Sequence, residues 1–199
     1  VDSGATYMDG TTDITRTYPL GELTEDERRF YTWTLQCHID IAKAVWLDYC
    51  ECKMIDTIAR EPLWRHLINY RCGTGHSVSF VGNVHEGPHA LNGRNTTLMR
   101  PGMIVTDEPG VYETDLVGIR IENELVCVHK ADNQYGTFLG FEPIMFVPIA
   151  TSPIVPGVLT QDEIDWLNNY HRQVFEKLAP RLNEGERDWL AKKCAAIGC

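Results

Sequence analysis

Ile119-Arg120-Ile121-Glu122-Asn123-Glu124-Leu125-Val126-Cys127-Val128 alternates polar and apolar residues around Arg120 and Glu122, which is the period of a β-strand. Such alternation sends Arg120 and Glu122 to the same face. A strand carboxylate that faces the core cannot stay ionised without a partner. Three more acids sit in comparable apolar or glycine-bounded contexts: Asp2 in Val-Asp-Ser-Gly, Asp13 in Thr-Asp-Ile-Thr, and Glu108 in Val-Thr-Asp-Glu-Pro-Gly. Four gathered carboxylates would repel one another strongly, and two divalent cations would cancel their charge. His76, between glycine-rich and apolar segments, adds a nitrogen of the kind that Mn²⁺, Fe²⁺, Co²⁺ and Zn²⁺ accept. Taken singly, each of these residues has a plainer reading: an exposed acid, a turn, a satisfied histidine.

The surrounding pattern predicts an α+β chain with a mainly antiparallel sheet. Residues 1–20 read as a strand pair turning at Asp9-Gly10. Thr24 and Glu27 form a capping box for a helix whose apolar positions include Phe30, Trp33, Ala44 and Val45. Pro62 fits the first turn of a short helix reaching about Leu67. Val78, Phe80 and Val84 suggest strand, residues 86–102 a loop, and Met103–Thr106 and Ile119–Val128 two strands. The proline-rich residues 141–158 read as extended connection. Thr160 and Glu163 make a second capping box, with Leu159 and Ile164 as a hydrophobic staple. The helix they open carries Ile164, Leu167, His171, Val174 and Leu178 as one stripe and ends at Pro180, and a last helix covers Glu186–Ala196.

The 199 residues suffice for one domain with an appendage, 1–149 and a helical extension 150–199 packed on it. A net charge of −10 argues against nucleic acid or an anionic membrane as the main partner. No apolar run approaches the roughly 18 residues of a membrane span. Seven cysteines (37, 50, 52, 72, 127, 194 and 199) form no CxxC pair and leave an odd one over, as in a reducing compartment, so a cytoplasmic location is expected. Asn95-Thr96-Thr97 reads as a plain polar loop. The opening Val1-Asp2-Ser3-Gly4, with no initiator Met and no signal peptide, reads as the end of a strand begun elsewhere, hence as a piece of a longer protein.

Taken in order, Asp2, Asp13, His76, Glu108 and Glu122 resemble the five-ligand signature of the pita-bread metallopeptidases. That superfamily comprises methionine aminopeptidases, proline dipeptidases and Xaa-Pro aminopeptidases. The matching strings are Asp2-Ser3-Gly4-Ala5, Thr12-Asp13-Ile14-Thr15-Arg16-Thr17, Gly73-Thr74-Gly75-His76, Glu108-Pro109-Gly110-Val111-Tyr112 and Gly118-Ile119-Arg120-Ile121-Glu122-Asn123. Asn83-Val84-His85-Glu86-Gly87-Pro88, Phe141-Glu142-Pro143 and Trp166-Leu167-Asn168-Asn169-Tyr170-His171 look like the cytosolic, multidomain Xaa-Pro aminopeptidase branch, over essentially the whole chain.

The resemblance implies a pita-bread fold, a curved antiparallel sheet flanked by helices, here truncated at its N-terminus and lacking two further N-terminal domains. It implies two divalent metal ions, Mn first, with Zn or Co as alternatives. Asp13 and Glu122 would bridge them, Asp2 completing one site and His76 with Glu108 the other. The implied reaction is hydrolysis of the bond before a proline in second position, by a hydroxide whose proton Glu108 takes. His85 matches a histidine that stabilises the tetrahedral intermediate, and Arg120 would fix a carboxylate ligand. A homodimer is implied for the whole protein, and the isolated chain is expected to be inactive.

The chain departs from that pattern at Cys72-Gly73-Thr74-Gly75-His76-Ser77-Val78-Ser79. Cys72 replaces a histidine that positions substrate, and Ser77 and Ser79 replace glycines. Two other readings follow: a proline dipeptidase of the same superfamily, or a non-catalytic pita-bread module that binds peptides or proteins. Such modules generally lose metal ligands, and here all five are kept.

Overall fold

In the computed structural model, which describes residues 1–198, Asp2–Tyr7 (β1) and Gly10–Thr15 (β2) pair antiparallel in continuous register from Asp2–Thr15 to Tyr7–Gly10. The expected turn shifts by one residue: Met8 and Asp9 form it, and Gly10 opens β2 at φ 153°, a conformation that side-chain-bearing residues rarely adopt. Cys199, the end of the expected extension, lies outside the described residues.

Glu25–Ala42 (α1) begins at the predicted capping box, with both arms in place. It stops at Lys43, so Ala44 and Val45 fall beyond it, and Val45–Leu47 (β3) follows as a short strand. Cys52–Trp64 (α2) corrects the reading of Pro62. The proline lies near the end of this helix, because the buried stripe Cys52, Ile55, Ala59 and Leu63 begins ten residues earlier. There its ring is buried and the missing N–H costs one backbone hydrogen bond, after which the helix ends.

Gly75–His76 (β4) and Ala90–Leu91 (β5) pair, and the expected strand around Val78, Phe80 and Val84 does not form. Residues 77–86 instead close on themselves, Glu86 N–H bonding the Ser77 carbonyl at 3.0 Å and Ser79 N–H the Asn83 carbonyl at 3.3 Å. That leaves Phe80 71% exposed.

Ile104–Asp107 (β6) is followed by the ribbon Gly110–Glu113 (β7) and Val117–Arg120 (β8), then by Asn123–Asn133 (β9) and Gly136–Pro143 (β10). The single strand expected over Ile119–Val128 is therefore two. At the break, Glu122 N–H leaves the ribbon and bonds the Thr15 carbonyl of β2 at 3.0 Å. The alternation holds as far as Glu122 and fails in the polar run Glu122-Asn123-Glu124, a weak mark of the break. Residues 141–143 belong to β10 rather than to the connection, and Pro143 ends the strand. The main sheet has the order β3-β10-β9-β6, antiparallel throughout.

Gln161–Leu178 (α3) starts at the second predicted capping box, and Leu159 and Ile164 share one apolar cluster. A 3₁₀ turn, Ala179–Arg181, places Pro180 where the helix stops. Glu184–Lys193 (α4) starts two residues before the expected point, on a capping box between Asn183 and Glu186. One core lies between the main sheet and the first two helices, through Ile41, Ile55, Leu91, Val105, Leu125 and Leu139. A second joins Tyr31, Leu35 and Ile39 of α1 to Leu167, Tyr170 and Val174 of α3. Among the described residues no helix is long and apolar enough to cross a membrane.

Candidate metal centre

Four short segments bring acids and one histidine together. On β2, Asp13 and Thr15 share a face, and Asp2 of β1 lies opposite Thr15. The segment 73–76 is held from both sides. The Thr74 hydroxyl bonds Asp56 of α2, whose other oxygen takes Arg60 Nε at 2.8 Å. Arg60 in turn donates to the carbonyls of Tyr70 and Cys72 at 2.8 and 2.9 Å. On the far side, Glu108 N–H bonds the Thr74 carbonyl at 2.7 Å and His76 N–H the Thr106 hydroxyl at 2.9 Å.

Nδ1 of His76 lies 3.2 Å from the Ser77 carbonyl, an acceptor, which leaves Nε2 as the ring nitrogen turned to the acids. Nε2 lies 3.0 Å from Glu108 Oε1 and 3.6 Å from Asp13 Oδ2. Asp13, His76 and Glu122 offer ligand atoms that all lie within 4.8 Å of one another. Glu108 also accepts from Thr106 Oγ1 at 3.0 Å. Asp2 is more exposed and is held by Arg120 Nη2.

Arg120 reaches most of the cluster. Nε donates to Thr15 Oγ1 at 3.0 Å and stands 3.9 Å from Glu108 and 4.0 Å from Glu122; Nη1 donates to Tyr112 OH at 2.6 Å. The Thr15 hydroxyl in turn donates a hydrogen bond to Glu122 Oε2 at 2.6 Å. The Arg120–Glu122 proximity expected from strand alternation thus exists although the strand breaks between them. His85, exposed on the 77–86 loop, stands edge-on to His76 with ring centres 4.2 Å apart. Cys72 is an exposed residue whose Sγ lies 3.5 Å from the Gly110 carbonyl, and partial burial of the thiol raises its pKa.

The acids carry the cost of being crowded. Burial, with the Glu108 charge adding to it, pushes Glu122 up to about 8, against the opposing Thr15 hydrogen bond. Burial and Glu108 likewise raise Asp13. Burial alone would lower His76, but its bonds to Glu108 and Ser77 and the nearby carboxylates more than offset it, and its pKa is raised. Glu122 Oε1 is buried with no hydrogen-bond partner. An orphaned buried carboxylate oxygen beside an imidazole nitrogen and two further acids is a donor set that fits divalent cations.

Sequence reading missed the supports. Asp56 and Arg60 lie on the buried side of α2 at i, i+4 spacing, and a buried ion pair on an apolar stripe was the available signal. Glu124, which accepts Asp13 N–H at 2.6 Å and is raised to about 7 mainly by burial, lies inside the alternating stretch 119–128.

The model of metallopeptidase family M24 matches residues 1–129, and that of the C-terminal region of peptidase M24 matches residues 137–197. The chain belongs to metallopeptidase family M24. Among its family relatives, aminopeptidase P1 of Lotus japonicus is 43% identical over 204 residues, covering 99% of this chain and 31% of its own length. Aminopeptidase P2 of Arabidopsis thaliana is 46% identical over 198 residues, covering 96% and 28%. An X-prolyl aminopeptidase from Caenorhabditis elegans, described as a cytosolic enzyme with a di-nuclear active site, superposes with a TM-score of 0.91 at 38% identity. It covers 98% of this chain and 33% of its own. The prolidase from Pyrococcus furiosus covers 71% of this chain at a TM-score of 0.60 and 29% identity. This M24 chain therefore has the pita-bread α+β fold, and it spans about a third of the length of the aminopeptidase relatives it matches.

Proposed function

We propose that this chain carries the metal centre of an Xaa-Pro aminopeptidase, which releases the first residue of peptides with proline in second place. The observation that supports it best is the meeting of Asp13, His76 and Glu122, with Glu108 3.0 Å from His76. In this reading Asp2, Asp13, His76, Glu108 and Glu122 hold two divalent cations, Mn²⁺ first and Zn²⁺ or Co²⁺ as alternatives. When bound, the cations polarise the substrate carbonyl and make a water acidic. Glu108 accepts the proton of the attacking water, and Thr106 orients its carboxylate. Arg120 keeps Asp2 and, through Thr15, Glu122 in place. His85, exposed beside His76, donates to the oxygen on which charge develops.

The closer likeness to aminopeptidases P than to prolidases, extending through the C-terminal region, favours this over dipeptide hydrolysis. The reading further takes the protein to be cytoplasmic and 150–199 to be an extension packed on the catalytic domain, residues 1–149. The greater length of the relatives supports further domains in the whole protein, which this reading puts ahead of the chain. The exposed apolar side chains of Tyr7, Met8, Phe80 and Val81 are available to such domains. The whole protein is expected to be a homodimer held through residues 150–199. Sedimentation with and without those residues tests this, and monomers in both cases refute it.

The deciding experiment measures metal content and hydrolysis of an Xaa-Pro peptide against its Xaa-Ala counterpart, for the whole protein and for this chain. Expected are two cations per chain, and Xaa-Pro cleavage by the whole protein with little by the chain alone. Bound metal without Xaa-Pro cleavage by the whole protein would favour a binding module.

A further inference from the structure

Arg16 is a buried cation without an anion. The residue is 3% exposed, and among the described residues no carboxylate lies within 4.0 Å of the guanidinium. A charge in that position must be stabilised by dipoles, and here they come from four separate segments. Nη1 donates to the Thr15 carbonyl at 2.8 Å and to the Glu122 carbonyl. Nη2 donates to Asn123 Oδ1 at 2.8 Å, the Val147 carbonyl at 2.7 Å and Tyr170 OH at 2.9 Å. Nε is shared between the carbonyls of Val147 and Pro148 at 3.3 and 3.2 Å.

Thr15 and Glu122 are thereby clipped together at their main chains, in addition to their mutual side-chain bond. Tyr170 fixes the clip. A phenol accepts two hydrogen bonds and donates one. Tyr170 OH accepts from Arg16 Nη2 and, at 3.2 Å, from Val147 N–H; its proton has Asn123 Oδ1, Met145 O and Val147 O within 3.0–3.1 Å. The ring is buried and stacked on Trp166 at 5.4 Å, nearly parallel, so α3 sets where the hydroxyl stands.

We infer that Tyr170 of α3 is a positioning residue for the metal centre, acting through the Arg16 guanidinium on the main chain of Glu122 and Thr15. The inference rests on the metal-centre reading above. Groups that orient a metal ligand from behind typically change affinity by about 10–100-fold when removed. Tyr170→Phe keeps the ring and its stack and removes only the oxygen. Arg16→Lys keeps the charge but cannot reach all four segments.

The experiment is a calorimetric titration of Mn²⁺ into the 199-residue chain and its variants, at a temperature where each is folded by circular dichroism. Expected is about a 10-fold loss of affinity in Tyr170→Phe, and a larger loss in Arg16→Lys. Val174→Ala, one turn further along α3 and fully buried, controls for loss of stability alone and should bind Mn²⁺ like the wild type. Equal affinity in wild type and Tyr170→Phe would overturn the inference and leave the centre standing. So would an equal loss in Val174→Ala, which would make the effect one of general packing. A wild-type chain that takes up no Mn²⁺ would overturn the metal-centre reading, and this inference with it.

Discussion

Between β4 and β6 there is no room for a side chain. A Cβ on Gly75 would stand 1.7 Å from the Thr106 carbonyl oxygen, so the residue before His76 must be glycine for the two backbones to lie in contact. Four residues before His76, the chain tolerates Cys72. Its thiol, raised by burial and spent on the Gly110 carbonyl, is a weak donor and a poor proton carrier at neutral pH. A histidine there would supply a hydrogen bond as charge develops in the substrate. An interaction of that kind is worth on the order of 2–4 kcal/mol, or roughly 30- to 1,000-fold in rate. The expected outcome for Cys72→His in the whole protein is a rise in kcat/KM with metal affinity unchanged. Steady-state kinetics and a Mn²⁺ titration on the two proteins check it; a wild type already fast, and not improved by histidine, would show the cysteine to be neutral.

At the scale of elements, α3 is docked through a histidine that must stay neutral. His171 is fully buried, and Ile149 N–H donates to its Nε2 at 3.1 Å, which requires that nitrogen to be unprotonated. Burial, and then the nearby Arg16 charge, bring its pKa down to about 4. The folded value lies below the ordinary 6.5, so the unfolded chain binds the proton first. The contribution to stability is therefore present above pH 6.5 and is lost as pH falls towards 4, by roughly 2 kcal/mol at pH 5. His171→Gln can still accept from Ile149 but does not titrate. The expected result in urea unfolding is that wild type exceeds the variant at pH 7 and loses that advantage by pH 5; a constant difference would show that His171 does not titrate in this window. The stripe that carries His171 is legible in sequence, as are both predicted capping boxes, because each depends on residues within two turns of one another. Pro62, the 77–86 loop and the split at Ile121-Glu122 are not, because each is settled by a partner far along the chain: the α2 stripe against the sheet, the missing neighbour strand, and the Thr15 carbonyl. The acids and His76 that the fold gathers stand out in sequence for the opposite reason, as charges in strands where charge is costly. Asp56 and Arg60 look like ordinary helix residues until the fold shows what they hold, and Arg16 and Tyr170 stand in family-like strings that do not reveal their contact.

For the molecule as a whole, the proposed metal centre makes the crowded acids tie stability to pH and to metal in a single linkage. Without a cation, Glu122 titrates at about 8 and Glu124 at about 7, against an ordinary 4.5, and Asp13 is raised as well. The folded state then keeps protons that the unfolded chain has released. Stability from these groups is fully present below about pH 4.5 and is lost as pH rises through 7 and 8. From pH 6.5 to 8 the unfolded chain sheds only the last half proton at His171, worth about 0.4 kcal/mol, so the carboxylates govern the trend. A bound cation replaces the protons and binds the native state alone, adding about 2.7 kcal/mol at a hundredfold excess over Kd. For a chain of this size that is roughly 5–10 °C in Tm. Cation and proton compete for the same oxygens, so the gain must grow with pH. Thermal unfolding of the chelator-treated chain is expected to show Tm falling from pH 6.5 to pH 8, with saturating Mn²⁺ raising it more at pH 8 than at 6.5. A Tm at pH 8 that Mn²⁺ leaves unmoved would mean that Asp13, His76, Glu108 and Glu122 meet for some reason other than metal. Equal gains at both pH values would mean that the cation binds without displacing the Glu122 proton.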